Sequence, residues 1–189
     1  MVLAAVALLL AVLAGRLSGG SLTRLGHLGL RARGLVWAAV AVQLAATLVG
    51  GPLYPVGLAV SAALAAGFLG RNRGVRGTGL IALGLLANAL VVGLNGAMPV
   101  SLHAAGEAGT STQDIVNGDD PRHQLADRST RLRWLGDVVP VRTPWRPEVV
   151  SPGDVLVAAG LAQLVVVGMR TGRSTGRHAR PRRATAGSV

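Results

Sequence analysis

An uncharged apolar run from Thr78 to Asn95 constrains this chain more than any other feature of its sequence. The run is 18 residues long and contains no Asp, Glu, Lys or Arg. A helix of that length can cross the hydrocarbon core of a bilayer. Arg71, Arg73 and Arg76 precede the run, and every acidic residue of the chain follows it. The run therefore predicts a transmembrane helix that separates a basic first half from a long polar loop.

Four other stretches are apolar enough to accompany this helix. Hydrophobic residues make up 50% of the 189-residue chain, which favours a bundle of spans over one soluble domain. We predict an all-α membrane protein with five transmembrane helices in a small bundle and one long extracytoplasmic loop. The membrane domain covers residues 1–170, and a disordered basic cytoplasmic tail covers 171–189. The predicted spans are residues 2–15, 35–51, 56–70, 78–95 and 153–169, and the loop is 97–151.

The first apolar stretch, from Val2 to Ala14, has two interpretations. A secretory signal peptide cleaved after Ala14 would have a positive residue before the apolar run, and none precedes this one. The charge follows the run, at Arg16. We therefore expect a retained span with the N-terminus outside, and the cleaved signal is the alternative.

The segments around the second and third spans indicate how these two helices pair. Residues 16–34 read as a basic amphipathic piece on the membrane surface or, equally, as a solvated basic loop. The sequence Gly51-Pro-Leu-Tyr-Pro55 predicts a tight turn between the two spans. Small residues then recur every four positions, which lets helix backbones approach closely. Spans two and three should therefore form an antiparallel hairpin; the small residues are Gly57, Ser61 and Ala65.

The charges are divided unequally between the two sides of the predicted membrane. With the N-terminus outside, 13 of the 19 arginines fall on the inner side, with no acidic residue beside them. The other six arginines and all eight acidic residues lie in the outer loop or at the start of the last span. Cytoplasmic segments of membrane proteins are rich in Arg and Lys. We predict a multi-pass cell-membrane protein with a cytoplasmic C-terminus. The partner of its basic segments is the anionic inner leaflet of the bilayer, and we expect no nucleic acid.

The outer loop contains its own local signals. Asp120 as cap and Pro121 at the first position predict a helix start, with one or two turns over 122–128. Three prolines between residues 139 and 151 exclude a central strand from that part of the loop. Trp134 and Trp145 are predicted to anchor the loop at the membrane interface. The prolines are Pro140, Pro144 and Pro147.

Three groups of residues in and beside this loop resemble a known family. They are Asn95-Gly-Ala-Met-Pro-Val-Ser101, then His123-x-Leu-Ala-Asp127-x-x-Thr130-Arg-Leu-x-x-Leu135-Gly-Asp137-Val-Val-Pro140, then Ser151-x-Gly-Asp154-Val. These motifs are similar to those of a family of small bacterial membrane proteins, domain of unknown function five-three-one-seven. The similarity in size and span pattern extends over most of residues 1–170. The resemblance implies an integral membrane protein and no particular activity.

Polar residues within or beside the spans are the candidate binding residues. Asn88 and Asn95 are seven residues apart, on one helical face. They would line a polar pathway with Gln43 and Gln163, or they would form ordinary interhelical hydrogen bonds. The full set of predicted binding residues is Asn88, Asn95, Met98, Pro99, His123, Asp127, Asp137 and Asp154.

Asp137 and Asp154 are the only candidates for catalysis that we consider. Two carboxylates at the outer membrane face resemble those of the lipoprotein signal peptidases, although the Asn-x-Ala-Asp motif of those enzymes is missing here. Close carboxylates sharing a proton have separated pKa values. The simpler interpretation of Asp154 is a capping box with Ser151. For Asp137 it is a loop carboxylate that accepts from backbone amides or pairs with Arg131 or Arg133.

A cation site in the loop is a further alternative. Oxygen-rich ligands suit Ca²⁺, Mg²⁺ or Mn²⁺, and a helix would present His123 and Asp127 on one face. Acidic loops are more often only solvated, and we predict no metal and no cofactor. The residues concerned are Asp119, Asp120, His123 and Asp127.

These patterns favour a non-catalytic role. We predict a small bacterial envelope protein that binds another membrane component or has a structural role. The alternative is a membrane-embedded enzyme of aspartyl type, with Asp137 and Asp154, or a small-molecule transporter.

Overall fold

The computed structural model describes residues 2–51, 53–144 and 146–171, and these residues are mostly helical. Trp145 and the tail over 172–189 lie outside the described residues, so the predictions made for them stay predictions. The helices are α1 (Val2–Leu17), α2 (Leu22–Gly26), α3 (Gly34–Val49), α4 (Leu53–Arg71), α5 (Thr78–Asn95), α6 (Leu102–Ala108), α7 (Gln113–Asn117) and α8 (Pro152–Thr171). The strands are β1 (Met98–Val100), β2 (His123–Leu125), β3 (Val139–Val141) and β4 (Glu148–Val150).

Three helices of the described chain are long and apolar enough to cross a membrane, namely α4, α5 and α8. Helix α5 has the bounds of the uncharged run, because Gly77 precedes it and Gly96 follows it, both with positive φ. Helices α1 and α3 are also apolar, but each has only 16 residues.

Helices α3 and α4 form the expected antiparallel hairpin. A Cβ atom added to Gly57 would collide with the Ala46 side chain, and Gly67 lies near Leu35 at the other end of the pair. The connection is shorter than the predicted turn over 51–55, since α4 already begins at Leu53 and takes in Tyr54 and Pro55.

Helices α5 and α8 also pack antiparallel and very closely. A Cβ atom at Gly84 would collide with the backbone oxygen of Gly153. About two turns further along α8, a Cβ atom at Gly160 would lie 2.7 Å from the backbone oxygen of Gly77. Each contact leaves no room for a side chain, so the two backbones touch between these contacts.

Helix α1 runs parallel to α8. The backbone N–H groups of Val2 and Leu3 donate to the Glu148 carboxylate, at 3.1 and 2.7 Å, just before α8 begins. At the other end, Ser21 N–H donates to the Met169 carbonyl at 3.0 Å, and the fully buried Met169 side chain packs on Gly15. One end of α1 is therefore fixed to β4 and the other to the end of α8.

One end of the bundle, which we call the basic end, contains the arginine-rich segments that connect the helices. Of residues 16–34, only Leu22–Gly26 forms a separate helix, while the segment 28–33 is irregular. This segment is held by Asn72, which is 5% exposed. Its side chain accepts from Arg31 N–H at 2.9 Å and donates to the carbonyls of Arg31 and Phe68 at 3.0 and 2.7 Å.

The opposite end carries the folded loop, which contains two small sheets that the all-α prediction lacked. Strands β1 and β2 pair in parallel, and Asp137 adds a parallel bridge to Val100. Strands β3 and β4 form a separate antiparallel pair in which Pro140 lies opposite Val149. A two-stranded sheet has only edge strands, so this position agrees with the expectation that the prolines exclude a central strand.

The predicted helix over 122–128 is wrong. His123–Leu125 is a strand, and Pro121 does not start a helix. The Asp120 carboxylate accepts from Arg122 N–H at 3.0 Å and closes a tight turn instead. His123 and Asp127 therefore do not share a helical face, as the cation hypothesis required.

Candidate functional site

Strand β1 organises the loop because its neighbours lie on both sides of it. Met98 is in register with His123 on β2, and Val100 is bridged to Asp137. Met98 and Val100 are two positions apart, so residues in register with them project to the same face. This register brings His123 and Asp137 together, although they are 14 positions apart in the chain.

Asp137 is held in place by its backbone and by the residue before it. Its N–H donates to the Pro99 carbonyl at 2.8 Å, and its own carbonyl accepts from Ser101 N–H at 2.9 Å. A Cβ atom at Gly136 would collide with the Pro99 oxygen. Only glycine therefore permits this close approach, which leaves Asp137 5% exposed.

The surroundings of the Asp137 carboxyl favour its neutral form. Burial, which is the largest cause, and the nearby carboxylates of Asp154 and Glu148 together raise its pKa to about 8, although the amino-terminal charge opposes them. The expected pairing with Arg131 or Arg133 is not seen among the described residues. The ion-pair partner of Asp137 there is His123, with 3.6 Å between Nε2 and Oδ2.

His123 joins Asp137 to a second carboxylate at the surface. Its Nδ1 atom lies 2.8 Å from Asp120 Oδ2, and Asp120 also accepts from Arg122 Nε at 3.1 Å. Burial would raise the pKa of Asp120, but the hydrogen bonds from Arg122 and His123 outweigh it and lower the pKa to about 2. Asp120 is therefore ionised at neutral pH. Tyr54 lies within electrostatic range of Asp120, Arg122 and Asp137.

Asp154 belongs to a closed hydrogen-bond ring with Ser151 and Asn88. Asp154 N–H donates to Ser151 Oγ at 3.0 Å, and Ser151 N–H donates to Asp154 Oδ2 at 3.2 Å. This confirms the predicted capping box. Asn88 joins it from α5, since its Nδ2 donates to Asp154 Oδ1 at 2.8 Å and its Oδ1 accepts from Ser151 Oγ at 2.9 Å. The ring ties α5 to the start of α8.

Asn95 and Asp127 line one cavity of about 430 Å³ in the loop. Asn95 Oδ1 accepts from Arg131 N–H at 2.9 Å, and its Nδ2 donates to the carbonyls of Arg131 and Val91 at 2.9 and 2.8 Å. Asp127 is exposed, and hydrogen bonds from Ser129 and Thr130 lower its pKa. The other lining residues are Leu94, Gln124, Leu125, Ser129, Thr130 and Arg131.

The remaining predicted residues are distributed as follows. Met98 and Pro99 are buried in β1, and Met98 packs in an apolar cluster with Tyr54, Val91 and Val92. Gln163 is exposed, whereas Gln43 Oε1 is buried without a hydrogen-bond partner in the described chain. No group of three or more His, Cys, Asp or Glu side chains in residues 2–51, 53–144 and 146–171 is arranged to hold a metal ion.

Sequence reasoning missed the roles of two residues, Asp120 at the loop end of the bundle and Asn72 at the basic end. Asp120 was considered only as a helix cap or cation ligand, and not as the partner of His123. Asn72 was not considered at all, although it occupies the same place after α4 that Asn95 occupies at the end of α5. An Asn at the last turn of an apolar helix, close to a Gly, is the signal that would have found it.

The fold is that of a mostly helical protein whose three long apolar helices suggest a membrane protein, with a folded loop at one end. The chain belongs to a family of unknown function (DUF5317), whose family model matches residues 27–166. The match confirms the resemblance indicated by the motifs between Asn95 and Val155. No curated protein and no solved structure matches the chain.

Proposed function

We propose that this chain is a five-span envelope protein of the cell membrane, with its loop outside and its C-terminus in the cytoplasm, and that the loop binds another envelope component. The observation that carries the binding role is the polar cavity of about 430 Å³, lined by Asn95 and Asp127. The cavity lies where the loop meets the end of α5. A polar segment of a neighbouring membrane protein suits a cavity with amide, hydroxyl and guanidinium groups at its wall.

The packing of the two short helices supports five spans. Sixteen residues reach about 24 Å at 1.5 Å per residue, which is less than the roughly 30 Å hydrocarbon thickness. Helices α1 and α3 nevertheless lie along α8 and α4, from one end of the bundle to the other. Local thinning of the bilayer accommodates such a difference at modest cost.

The charges at the two ends support the orientation. The described arginines at the end that gathers α2 and the α4–α5 connection are all exposed, and no acidic residue lies in those segments. Exposed arginines there interact with anionic lipids at about 1 kcal/mol each. Every acidic residue belongs to the loop end. The arginines concerned are Arg16, Arg24, Arg31, Arg33, Arg71, Arg73, Arg76 and Arg170.

The absence of cysteine from the sequence makes the orientation directly testable. Ser111→Cys on the loop and Gly74→Cys between α4 and α5 both introduce a thiol at an exposed position, and no atom crowds Gly74. In intact cells a membrane-impermeant maleimide should label Ser111→Cys only. Gly74→Cys should react after the cytoplasmic side is opened. The reverse pattern would contradict the orientation.

Binding in the cavity is tested by photo-crosslinking in living cells. A photoreactive residue replaces Gln124, which lines the cavity, or Gln113, an exposed loop residue outside it. We expect a discrete adduct from position 124 and none from position 113. Equal adducts at both positions, or none at either, would argue against a partner in this cavity.

A second candidate function is acid–base catalysis by Asp137 and Asp154. It is favoured by one observation, namely that the Asp154 carboxylate raises the pKa of the buried Asp137. Two carboxyl groups in different protonation states are what such chemistry requires. The test compares Asp137→Asn with Asp154→Asn. Loss of one cellular activity in both variants, with normal membrane insertion, would support the enzyme, whereas wild-type behaviour of Asp137→Asn would exclude it.

A further inference from the structure

Three side chains form a line from the surface of the loop to its interior. Asp120 Oδ2 lies 2.8 Å from His123 Nδ1, and His123 Nε2 lies 3.6 Å from Asp137 Oδ2. The two nitrogens of an imidazole ring can accept a proton on one side and release one on the other. His123 is therefore placed to pass a proton between the two carboxylates.

The outer member of this line has access to water. Asp120 lines an open groove of about 250 Å³ together with Asp114, Asp119 and Arg122. The side chain of Asp137 is 8% exposed, against 19% for Asp120 and 31% for His123. The imidazole of His123 is in contact with Asp120 in the groove on one side and faces the Asp137 carboxyl on the other.

The charged groups that face Asp137 come from every element packed around it. Asp154 at the start of α8 and Glu148 on β4 are both carboxylates, and His123 faces Asp137 from β2. Tyr54 of α4 and the amino-terminal charge beside α1 are the other groups within electrostatic range. Among the described residues, no arginine forms an ion pair with Asp137. No described guanidinium therefore compensates this carboxylate directly, which favours its protonated form.

We propose that Asp137 is a proton-binding site, loaded from the outer groove through Asp120 and His123. Arg122 keeps Asp120 ionised, so Asp120 holds a proton only in transit and is not the storage site. A proton on Asp137 removes one of the three carboxylate charges that meet at this end of α8. The site goes beyond the proposed partner binding, because no residue of the line belongs to the cavity at Asn95.

Infrared difference spectroscopy of the full-length protein in lipid nanodiscs tests the storage site. Between about pH 5 and about pH 10, the carboxylic acid C=O band of Asp137 should disappear with a midpoint near pH 8, which is the pKa that burial and the neighbouring carboxylates produce. The band should be missing in Asp137→Asn, which mimics the protonated acid. Asp127→Asn is the matched control, since Asp127 is exposed and should not contribute. Asp137→Glu should restore a titrating band at a shifted frequency.

Rapid pH jumps test the route. In His123→Gln, the Asp137 band should appear roughly 100-fold more slowly, or slower still, after acidification, since the group that transfers the proton is gone. Asp120→Asn should slow it less, because water in the groove can still reach His123. A wild-type protein without the band at neutral pH, or a band that survives in Asp137→Asn, would overturn the site. Unchanged kinetics in His123→Gln would overturn the route.

Discussion

Asn72 and Asn95 lie at opposite ends of the helical bundle and make the same three hydrogen bonds. Each donates to the carbonyl four residues earlier in its own helix, Phe68 or Val91. Each also accepts from the N–H and donates to the carbonyl of one distant residue, Arg31 for Asn72 and Arg131 for Asn95. A terminal asparagine thus holds a connecting segment at each end of the bundle, and we call Asn72 and Asn95 the two asparagine clamps. The repetition indicates that the contacts of Asn95 serve the architecture, whatever else its cavity binds.

The two ends differ in their charges. The basic end presents exposed arginines and an uncharged clamp. The loop end buries a carboxyl group, Asp137, against the carboxylates of Asp154 and Glu148. The same fastening device therefore supports a solvated charged surface at one end and a titratable interior at the other. Asp137 at the loop end should respond to pH near neutrality.

The largest expected effect is the pH dependence of stability at the loop end. The folded pKa of Asp137 is raised to about 8 from 3.8, so the folded protein binds this proton more tightly than the unfolded chain does. Its stabilising contribution is full below about pH 4 and is lost as the pH rises through about 8, in total on the order of 5 kcal/mol. Unfolding in detergent at several pH values measures the change.

The matched variant for this prediction is Asp137→Asn, whose side chain has no proton to lose. Its unfolding free energy should stay nearly constant between about pH 6 and about pH 9. If Asp137→Asn loses stability with rising pH as steeply as the wild type does, the titrating group lies elsewhere.

Close packing of α5 on α8 should be equally sensitive at its two glycine contacts. Gly84→Val, which faces Gly153, and Gly160→Val, which faces Gly77, would each drive a side chain into the facing backbone. We expect a loss of about 3 kcal/mol for each, measured by unfolding in detergent. Gly93→Val is the control, because Gly93 also lies within α5 but no atom lies within 4 Å of its added Cβ. A cost for Gly93→Val as large as for Gly84→Val would mean that helix propensity, and not contact, is responsible.

The helices were largely predictable from the sequence because their signals are local. The uncharged run between Gly77 and Gly96 fixes α5, and Ser151 with Asp154 specifies the start of α8 by a capping box. Small residues facing each other at positions such as Gly57 predicted the α3–α4 hairpin. These patterns need no knowledge of distant contacts.

The folded loop was not predictable in the same way. Strand β1 has three residues, and its partners are His123–Leu125 and Asp137, more than 20 positions further along the chain. Three residues show no alternation from which a strand could be inferred. The Asp120-Pro121 pair resembles a helix start, but its carboxylate closes a turn. Asp137 was singled out from the sequence, yet its burial follows from this non-local pairing and from Gly136.

The two asparagine clamps should differ in strength because their burial differs. Asn72 is 5% exposed, whereas the bonds between Asn95 and Arg131 are exposed to solvent. Asn72→Ala leaves part-buried backbone groups of Arg31 without partners, which costs about 2 kcal/mol, and Asn95→Ala costs about 1 kcal/mol. Unfolding in detergent measures both. Equal losses would show that lipid or detergent shields the Asn95 clamp from water.

The smallest expected effects come from two serine caps, one at each end. Ser151 is fully buried, and its Oγ both accepts from Asp154 N–H and donates to Asn88. Ser21 caps the five-residue helix α2 through a solvent-exposed bond of 3.2 Å from Thr23 N–H. Ser151→Ala should cost about 1–2 kcal/mol and Ser21→Ala only a few tenths, since water replaces an exposed cap at little cost. The comparison is made by unfolding in detergent, with Ser151→Thr as the variant that keeps a hydroxyl. If Ser21→Ala proves the more damaging, the short helix α2 holds α1 against α8 more firmly than its exposed cap indicates.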